Sequence, residues 1–165
     1  MPESGAPELS VFLECHGFVL AMPIRRVERL VLSEEVTVKS ESQGVPIAVA
    51  GNQRYAAWNL GRLLELPPLD TAWVLLRIPH EGAELPLALS TGRCLLVAPL
   101  NQGVSSLPPG MFRERHNALW GTFPVQGIKG AKLAGVMGLC LDPLRLWNRQ
   151  ELALSASALL SVRAP

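Results

Sequence analysis

Charge is scarce in this chain. Asp, Glu, Lys and Arg make up 18% of its 165 residues, and the formal net charge is +1. Globular sequences usually carry about a quarter of their residues as charge. The shortage suits a protein that hides apolar surface against a partner, and it also suits a small β protein. There is no long run of Lys or Arg, and the few aromatics (5%) are not interleaved with basic residues. That excludes the electrostatic footprint of a nucleic-acid binder. Nor does any apolar stretch approach the roughly 20 residues that span a bilayer, so no direct membrane insertion is expected. Met1 to Pro7 is polar and small, without the charged-then-apolar pattern of a signal peptide. A cytoplasmic location is therefore expected.

Chemistry is equally thin. Cys15, Cys94 and Cys140 are odd in number, far apart, and set in apolar runs. With no Cys-x-x-Cys pair and no Cys/His cluster, zinc is not expected, and the thiols read as buried apolar side chains. His16 and His80 fall in expected turns, and His116 has no Cys nearby. No nucleophile elbow, phosphate loop or dinucleotide fingerprint occurs. Gly127-Ile128-Lys129-Gly130 has the wrong glycine spacing for a phosphate loop and reads as a turn. Glu34-Glu35 are adjacent, so on a strand they point to opposite faces. Cys15 and His16 would diverge in the same way. Without a nucleophile, base and orienting group together, the expectation is a non-enzyme with no cofactor.

What the sequence does have is apolar material, 48% of residues, in short runs separated by turn signals. Met1 to Glu8 reads as a flexible arm. Leu9–Glu14 and Phe18–Met22 read as a hairpin about Cys15-His16-Gly17. Ile24, Val27, Leu30 and Val31 recur at spacings of three and four, which fits one helical turn before a strand through Val38. Lys39 to Gly44 is a polar loop. Val45–Ala50 and Arg54–Trp58 read as strands about Gly51-Asn52-Gln53, followed by a short helix capped by Asn59. Pro67-Pro68 marks a junction between halves. Ala72–Ile78, Leu85–Leu89, Cys94–Leu100, Leu119–Val125 and Leu133–Leu141 are further strands. Asn101 to Asn117 is a long loop, carrying a small basic patch at Arg113, Arg115 and His116. Asp142-Pro143 opens a helical turn. Asn148 and Glu151 form a capping-box-like pair, and Leu152, Ala156, Leu159 and Leu160 share one side of a terminal helix. Trp58, Trp73, Trp120 and Trp147 belong either to the core or to a pocket or interface. Strands followed by a Leu-rich helical turn recur in both halves. That favours two barrel-like subdomains over a parallel α/β fold, which needs long crossover helices.

Several of these segments, in this order, resemble the CheW-like domain of chemotaxis coupling proteins. They are Val11-Phe12-Leu13 … Phe18-Val19-Leu20-Ala21-Met22-Pro23-Ile24 … Val27-Glu28-Arg29-Leu30, then Val49-Ala50-Gly51 … Tyr55-Ala56-Ala57-Trp58-Asn59-Leu60-Gly61-Arg62-Leu63-Leu64. Trp73–Ile78 and Leu85–Ser90 follow, and then Leu139-Cys140-Leu141-Asp142-Pro143-Leu144-Arg145-Leu146. The resemblance runs from about Leu9 to Leu160. It implies a mostly β fold of two small five-stranded SH3-like barrels with short helices and a C-terminal helix, residues 9–165 forming one CheW-like domain. It implies no catalysis and no cofactor. It also implies an adaptor that couples the cytoplasmic tip of a chemoreceptor to the regulatory domain of a CheA-type histidine kinase, with other CheW-like domains as further partners. The interaction positions carried over are Val27, Arg29, Ala50, Gly51, Pro86 and Leu95, of which Val27 and Leu95 read equally as core. The family's Arg before the loop glycine falls at Ala50. Its acidic residues fall near Arg29, Asn59 and Ser90. Charge complementarity sets partner choice, so the coupling surface here is adapted to divergent partners or partly disabled. Two other readings stay open: a CheW-like module for a response regulator, small GTPase or polar scaffold, and an enzyme or small-molecule-binding barrel.

Overall fold

The computed structural model describes residues 8–39, 44–100, 103–108, 117–125 and 137–161. The expected N-terminal arm up to Pro7, the patch Arg113-Arg115-His116, the run Gly127 to Gly130 and much of the two polar loops lie outside these residues.

Alternating apolar residues open the chain as β1 (Leu9–Cys15) and β2 (Phe18–Pro23), paired antiparallel from Ser10↔Pro23 to Cys15↔Phe18. The two-residue turn has positive φ at both His16 (48°) and Gly17 (89°), the mirror-image turn whose twist suits a hairpin. Pro23 ends β2. The helical periodicity after it yields only a 3₁₀ turn at Ile24–Arg26, and β3 (Val27–Leu32) begins where a longer turn is expected. Pairing of Leu30 with Val74 and Val31 with Trp73 takes precedence over local spacing. A second 3₁₀ turn, Ser33–Glu35, bends the run into β4 (Val36–Lys39). There follow β5 (Ile47–Ala50), β6 (Gln53–Asn59), α1 (Leu60–Leu63), β7 (Ala72–His80), β8 (Ala83–Thr91), β9 (Cys94–Pro99), β10 (Ser105–Ser106), β11 (Leu119–Pro124), β12 (Met137–Leu141) and α2 (Arg149–Ser161).

The strands form two six-stranded sheets, ordered β10-β11-β12-β2-β1-β9 and β3-β7-β8-β6-β5-β4. The edge strands of each sheet are consecutive in the chain, β9 with β10 and β3 with β4, so each sheet curls into a small barrel. Six strands stand in place of the expected five because two strands consecutive in the chain supply the two edges of each sheet. Pro67-Pro68 is not a junction between halves. It lies between β6 and β7 of one sheet, so β3 to β8 make a central barrel, while the two ends of the chain together make a terminal barrel.

The two barrels share one plan, circularly permuted. β4-β5-β6-β8-β7-β3 corresponds in order to β10-β11-β12-β2-β1-β9, each with one parallel pair, β6 with β8 and β12 with β2. The registers Ala57↔Ala88 and Cys140↔Ala21 then align Asn59 with Asp142. Both cap the helical turn that follows. Asn59 Oδ1 accepts from Arg62 N (3.3 Å), and Asp142 Oδ1 accepts from Leu144 N (3.0 Å). One cross-strand pair shows how volume is kept. Tyr55 faces Ala48 in the central barrel, and Gly138 faces Phe123 at the corresponding place in the other. A Cβ on Gly138 would strike the Phe123 ring. The aromatic and the small residue have exchanged strands, which preserves packing volume.

Alternate side chains of the central strands serve two cores. Val11, Leu13, Leu20 and Met22 join Val74, Leu76, Leu87 and Leu89 in a cluster shared by both barrels. Between them, Phe12, Val19 and Ala21 pack with Phe123 in the terminal barrel, and Leu75 and Ala88 pack with Tyr55 in the central one. Helix α2 covers the shared cluster through Leu152, Ala156, Ala158 and Leu159, whereas Leu160, expected on that side, is 64% exposed. Its first turn is the expected capping box. Asn148 N donates to Glu151 Oε1 (2.9 Å), and Glu151 N donates to Asn148 Oδ1 (2.7 Å).

Gly92, in the β8–β9 turn, lets the chain pass against β1, since a Cβ there would strike the Glu14 carbonyl. Gly92→Ala is expected to cost about 3 kcal/mol, at the upper end of overpacking effects. Gly82→Ala, at φ 78° in open space, is expected to cost about 1–2 kcal/mol from backbone conformation alone. Urea unfolding midpoints of the two variants check the ordering.

Candidate protein-interaction site

Where the barrels meet, β3 and β7 on one side and β1 and β9 on the other enclose a cleft of about 180 Å³. Leu13, Leu30, Leu32, Trp73, Thr91 and Cys94 line it. Leu32 is 56% exposed and Leu13 fully buried, so the cleft grades from core to solvent. Its charged rim is already engaged. Glu35 Oε2 accepts from Leu32 N (2.8 Å), and Arg93 pairs with Glu14 (3.2 Å). Such a cleft can take an apolar side chain from a partner.

A second feature occupies one end of the central barrel. Arg77 on β7 donates Nε to Glu28 Oε2 (2.6 Å) and Nη2 to Gln53 Oε1 (2.9 Å). The Tyr55 hydroxyl lies within donating distance of Glu28 Oε1 (3.1 Å) and Gln53 Oε1 (2.9 Å), and the Arg77 guanidinium sits over the Tyr55 ring at 5.7 Å. The Arg77 hydrogen bond and charge hold the Glu28 carboxyl below its ordinary range. Burial, with Glu28 next to it, raises the Tyr55 phenol. The cluster ties β3, β6 and β7 into a rigid platform. Sequence reasoning passed over it because its members are scattered over fifty residues.

Register places the expected interaction residues around these two features. Glu28 is an extra residue in β3, since Val27 pairs with Leu76 and Arg29 with Leu75. Leu95 is the corresponding extra residue in β9, since Phe12 pairs with Leu96 and Leu13 with Cys94. A β-bulge re-aims the side chains beside it, and here the two bulges occupy equivalent positions of the permuted barrels. Val27 is half-buried against the shared core, and Arg29 is exposed. Pro86 is half-buried and directly opposite Arg77. Gly51 is exposed at φ 61°. Ala50 is 2% exposed and packs with Tyr55 and Leu75, so its side chain is turned inward. Leu95, half-buried against Phe123 and its neighbours, belongs to the other barrel. The structure thus gathers Arg29, Gly51 and Pro86 around the platform and leaves Leu95 apart. Asn59 and Ser90, where the family's acidic residues fall, both hold Leu69. Asn59 Nδ2 donates to its carbonyl (2.7 Å), Leu69 N donates to Asn59 Oδ1 (3.0 Å), and Ser90 Oγ donates to the same carbonyl. An Asp at 59 would have no N–H for that carbonyl.

The structure is similar to the crystal structure of the scaffolding protein TtCheW from Thermoanaerobacter tengcongensis. The TM-score is 0.63 at 14% sequence identity, over 88% of this chain and 97% of that one. The fold is CheW-like. No family model and no curated protein matches the chain by sequence. The CheW-like fold agrees with the expected architecture of two β subdomains and a C-terminal helix, and its neighbour is a scaffold rather than an enzyme.

Among the described residues, no group of three or more His, Cys, Asp and Glu could hold a metal ion, and no helix is long and apolar enough to cross a membrane. His16 Nε2 lies 2.7 Å from the Pro67 carbonyl, a tie from the first hairpin to the loop after α1. Burial pushes the Cys15 thiol up to about 12 and Cys140 to about 11, and raises half-buried Cys94 as well. Thiolates at such sites are scarce at neutral pH. A thiol reagent at pH 8 is therefore expected to label Cys94 first in the native protein and to reach Cys15 and Cys140 only on unfolding. Early labelling of Cys15 would contradict its burial.

The platform predicts a pH effect with a definite sign. Because the folded Glu28 carboxyl titrates below its ordinary value, the unfolded state binds the extra proton first. The contribution is present above the ordinary carboxylate value, about 4.3, and is lost as pH falls through the lower folded value. Partial exposure screens it, so Glu28→Gln is expected to cost about 1 kcal/mol at pH 7. Urea melts of wild type and variant at pH 7 and pH 3 should show the gap narrowing in acid.

Proposed function

We propose that the chain is a non-enzymatic adaptor that couples the cytoplasmic tip of a chemoreceptor to the regulatory domain of a CheA-type histidine kinase, in a chemosensory pathway controlling motility or pili. One CheW-like domain over residues 9–165 would do this in the cytoplasm, without a cofactor. The observation that carries the reading is an apolar cleft open to solvent at the seam of a CheW-like fold. A helical tip presents apolar side chains at i, i+3 and i+4, which suit such a groove. Leu30, Leu32 and Trp73 would seat them. The platform end of the central barrel, with Arg29, Gly51 and Pro86, would face the kinase domain, and Leu95 would serve the corresponding surface of the terminal barrel, open to other CheW-like domains. Holding two partners in fixed geometry biases the kinase's conformational equilibrium.

A second reading keeps the binding role and changes the partner. The inward-facing Ala50 and the cationic Arg29 favour it, because the CheW-like pattern has an Arg at the first place and an acidic residue near the second. A response regulator, a small GTPase or a polar scaffold would then dock on the same platform.

Calorimetric titration of the purified chain against a kinase regulatory domain and a receptor-tip fragment separates the readings. The adaptor reading expects micromolar binding to both, with Leu32→Asp weakening receptor binding at least tenfold and leaving kinase binding within about twofold, since one buried apolar contact is worth about 1.5–3 kcal/mol. No heat with either partner at high micromolar concentration would overturn it.

A further inference from the structure

The loop between α1 and β7, residues 64–71, is fastened to the central barrel at several points. Leu66 N donates to the Gly61 carbonyl (2.7 Å) and turns the chain back over α1. Asn59 and Ser90 hold Leu69. Ser33 Oγ lies within donating distance of the Asp70 (2.6 Å) and Thr71 (2.8 Å) carbonyls, and Thr71 N donates to the Thr91 carbonyl (3.0 Å). These anchors sit on α1, β6, β8 and the turn after β3, all in the central barrel, so the loop moves with that barrel. His16, in the β1–β2 turn, belongs to the terminal barrel. Its Nε2 reaches the Pro67 carbonyl of the same loop at 2.7 Å. A carbonyl only accepts, so Nε2 donates. The contact therefore joins one barrel to the other, and both of its residues are exposed.

Two backbone features place that carbonyl. Glu65 lies at φ 60°, the left-handed position that ends a helix and usually falls to Gly, and a side chain adopts it at a cost. Gly61 lies under the Pro67 carbonyl, which a Cβ would strike. Unfavourable backbone of this kind persists where its surroundings over-determine it, and both features here hold one carbonyl where the other barrel's His16 meets it. The seam cleft begins beside this contact. Leu13 and Cys94 line it on the terminal side, and Thr71, Ala72 and Trp73 on the central side. Leu13 precedes His16 by three residues, and Thr71 follows Pro67 by four.

We propose that the His16–Pro67 hydrogen bond is a latch that holds the seam cleft closed at the β1–β2 turn, and that the cleft opens there when the bond breaks. One exposed hydrogen bond shifts an open–closed equilibrium about three- to tenfold. That is enough to set access to the cleft and too little to hold the barrels together, which is the work of buried Leu13, Leu20, Val74 and Leu89. By linkage, an occupant that needs the open cleft weakens the latch by the same factor. The latch rests on the cleft itself and not on any particular partner entering it.

Cys94, half-buried in the cleft, reports its opening in the full chain without a partner. Labelling with N-ethylmaleimide at pH 8, read residue by residue by peptide mass spectrometry, follows the open population when opening and closing are fast beside the reaction. His16→Asn keeps a residue at ease in the left-handed turn and withdraws the donor from reach. It is expected to raise the Cys94 rate about three- to tenfold. His16→Gln carries an N–H about as far out as the imidazole Nε2 and is expected to stay within about twofold of wild type. Gly82→Ala strains the turn at the far end of β7. It is expected to lower the urea midpoint and leave the Cys94 rate within about twofold, because global destabilisation is not what opens the cleft. An unchanged rate in His16→Asn would overturn the proposal. So would equal acceleration in the Asn and Gln variants, or acceleration of the same size in Gly82→Ala. With no partner in the experiment, its failure is distinct from failure of the adaptor reading.

Discussion

Burial on both faces of the central strands is the constraint on which the rest of this structure depends. Along β1, β2, β7 and β8, one set of side chains fills the local core and the alternate set fills the core between the barrels. Strands of that kind cannot tolerate a one-residue slip, which would exchange the two cores. The terminal barrel draws β1 and β2 from one end of the chain and β9 to β12 from the other, so it closes only around the central barrel. Two halves joined in this way form one seam of fixed shape, and the apolar cleft at that seam owes its geometry to it.

The permuted plan of the two barrels explains where surface features arise. Each barrel takes both edges from strands consecutive in the chain, caps a short helical turn with Asn59 or Asp142, and carries a bulge in the strand opposite β7 or β1. The bulges at Glu28 and Leu95 lift residues out of the alternation that would otherwise bury them or turn them to solvent. One was built into a polar platform with Arg77, Gln53 and Tyr55, and the other into an apolar surface. Under the proposed adaptor role, a duplicated device with different chemistry at its two copies would serve two unlike partners.

Much of this was legible in the residues. The His16-Gly17 turn, the Asn59 and Asp142 caps and the Asn148–Glu151 box are encoded within a few positions, and short-range chemistry fixes them. Three features were not legible for a common physical reason. The bulges depend on which strand lies opposite, and a run such as Val27-Glu28-Arg29 gives no sign of its partner's register. The interleaving of the barrels depends on long-range pairing, and Pro67-Pro68 imitates a domain boundary because a tight return and a linker use the same residues. The inward Ala50 was missed for the same reason, since its exposure is set by Tyr55 and Leu75 and not by the glycine that follows it. The platform was illegible because ion pairs across a barrel have no sequence spacing.

The proposed function makes the seam between the barrels the working surface. Hydrogen exchange of the chain, alone and with a receptor-tip fragment and a kinase regulatory domain, tests it most directly. The account predicts added protection over Leu30–Leu32 with the receptor fragment and over Glu28–Arg29 and Gly51–Gln53 with the kinase domain. Protection confined to other segments, with Leu30–Leu32 exchanging as in the free chain, would contradict it.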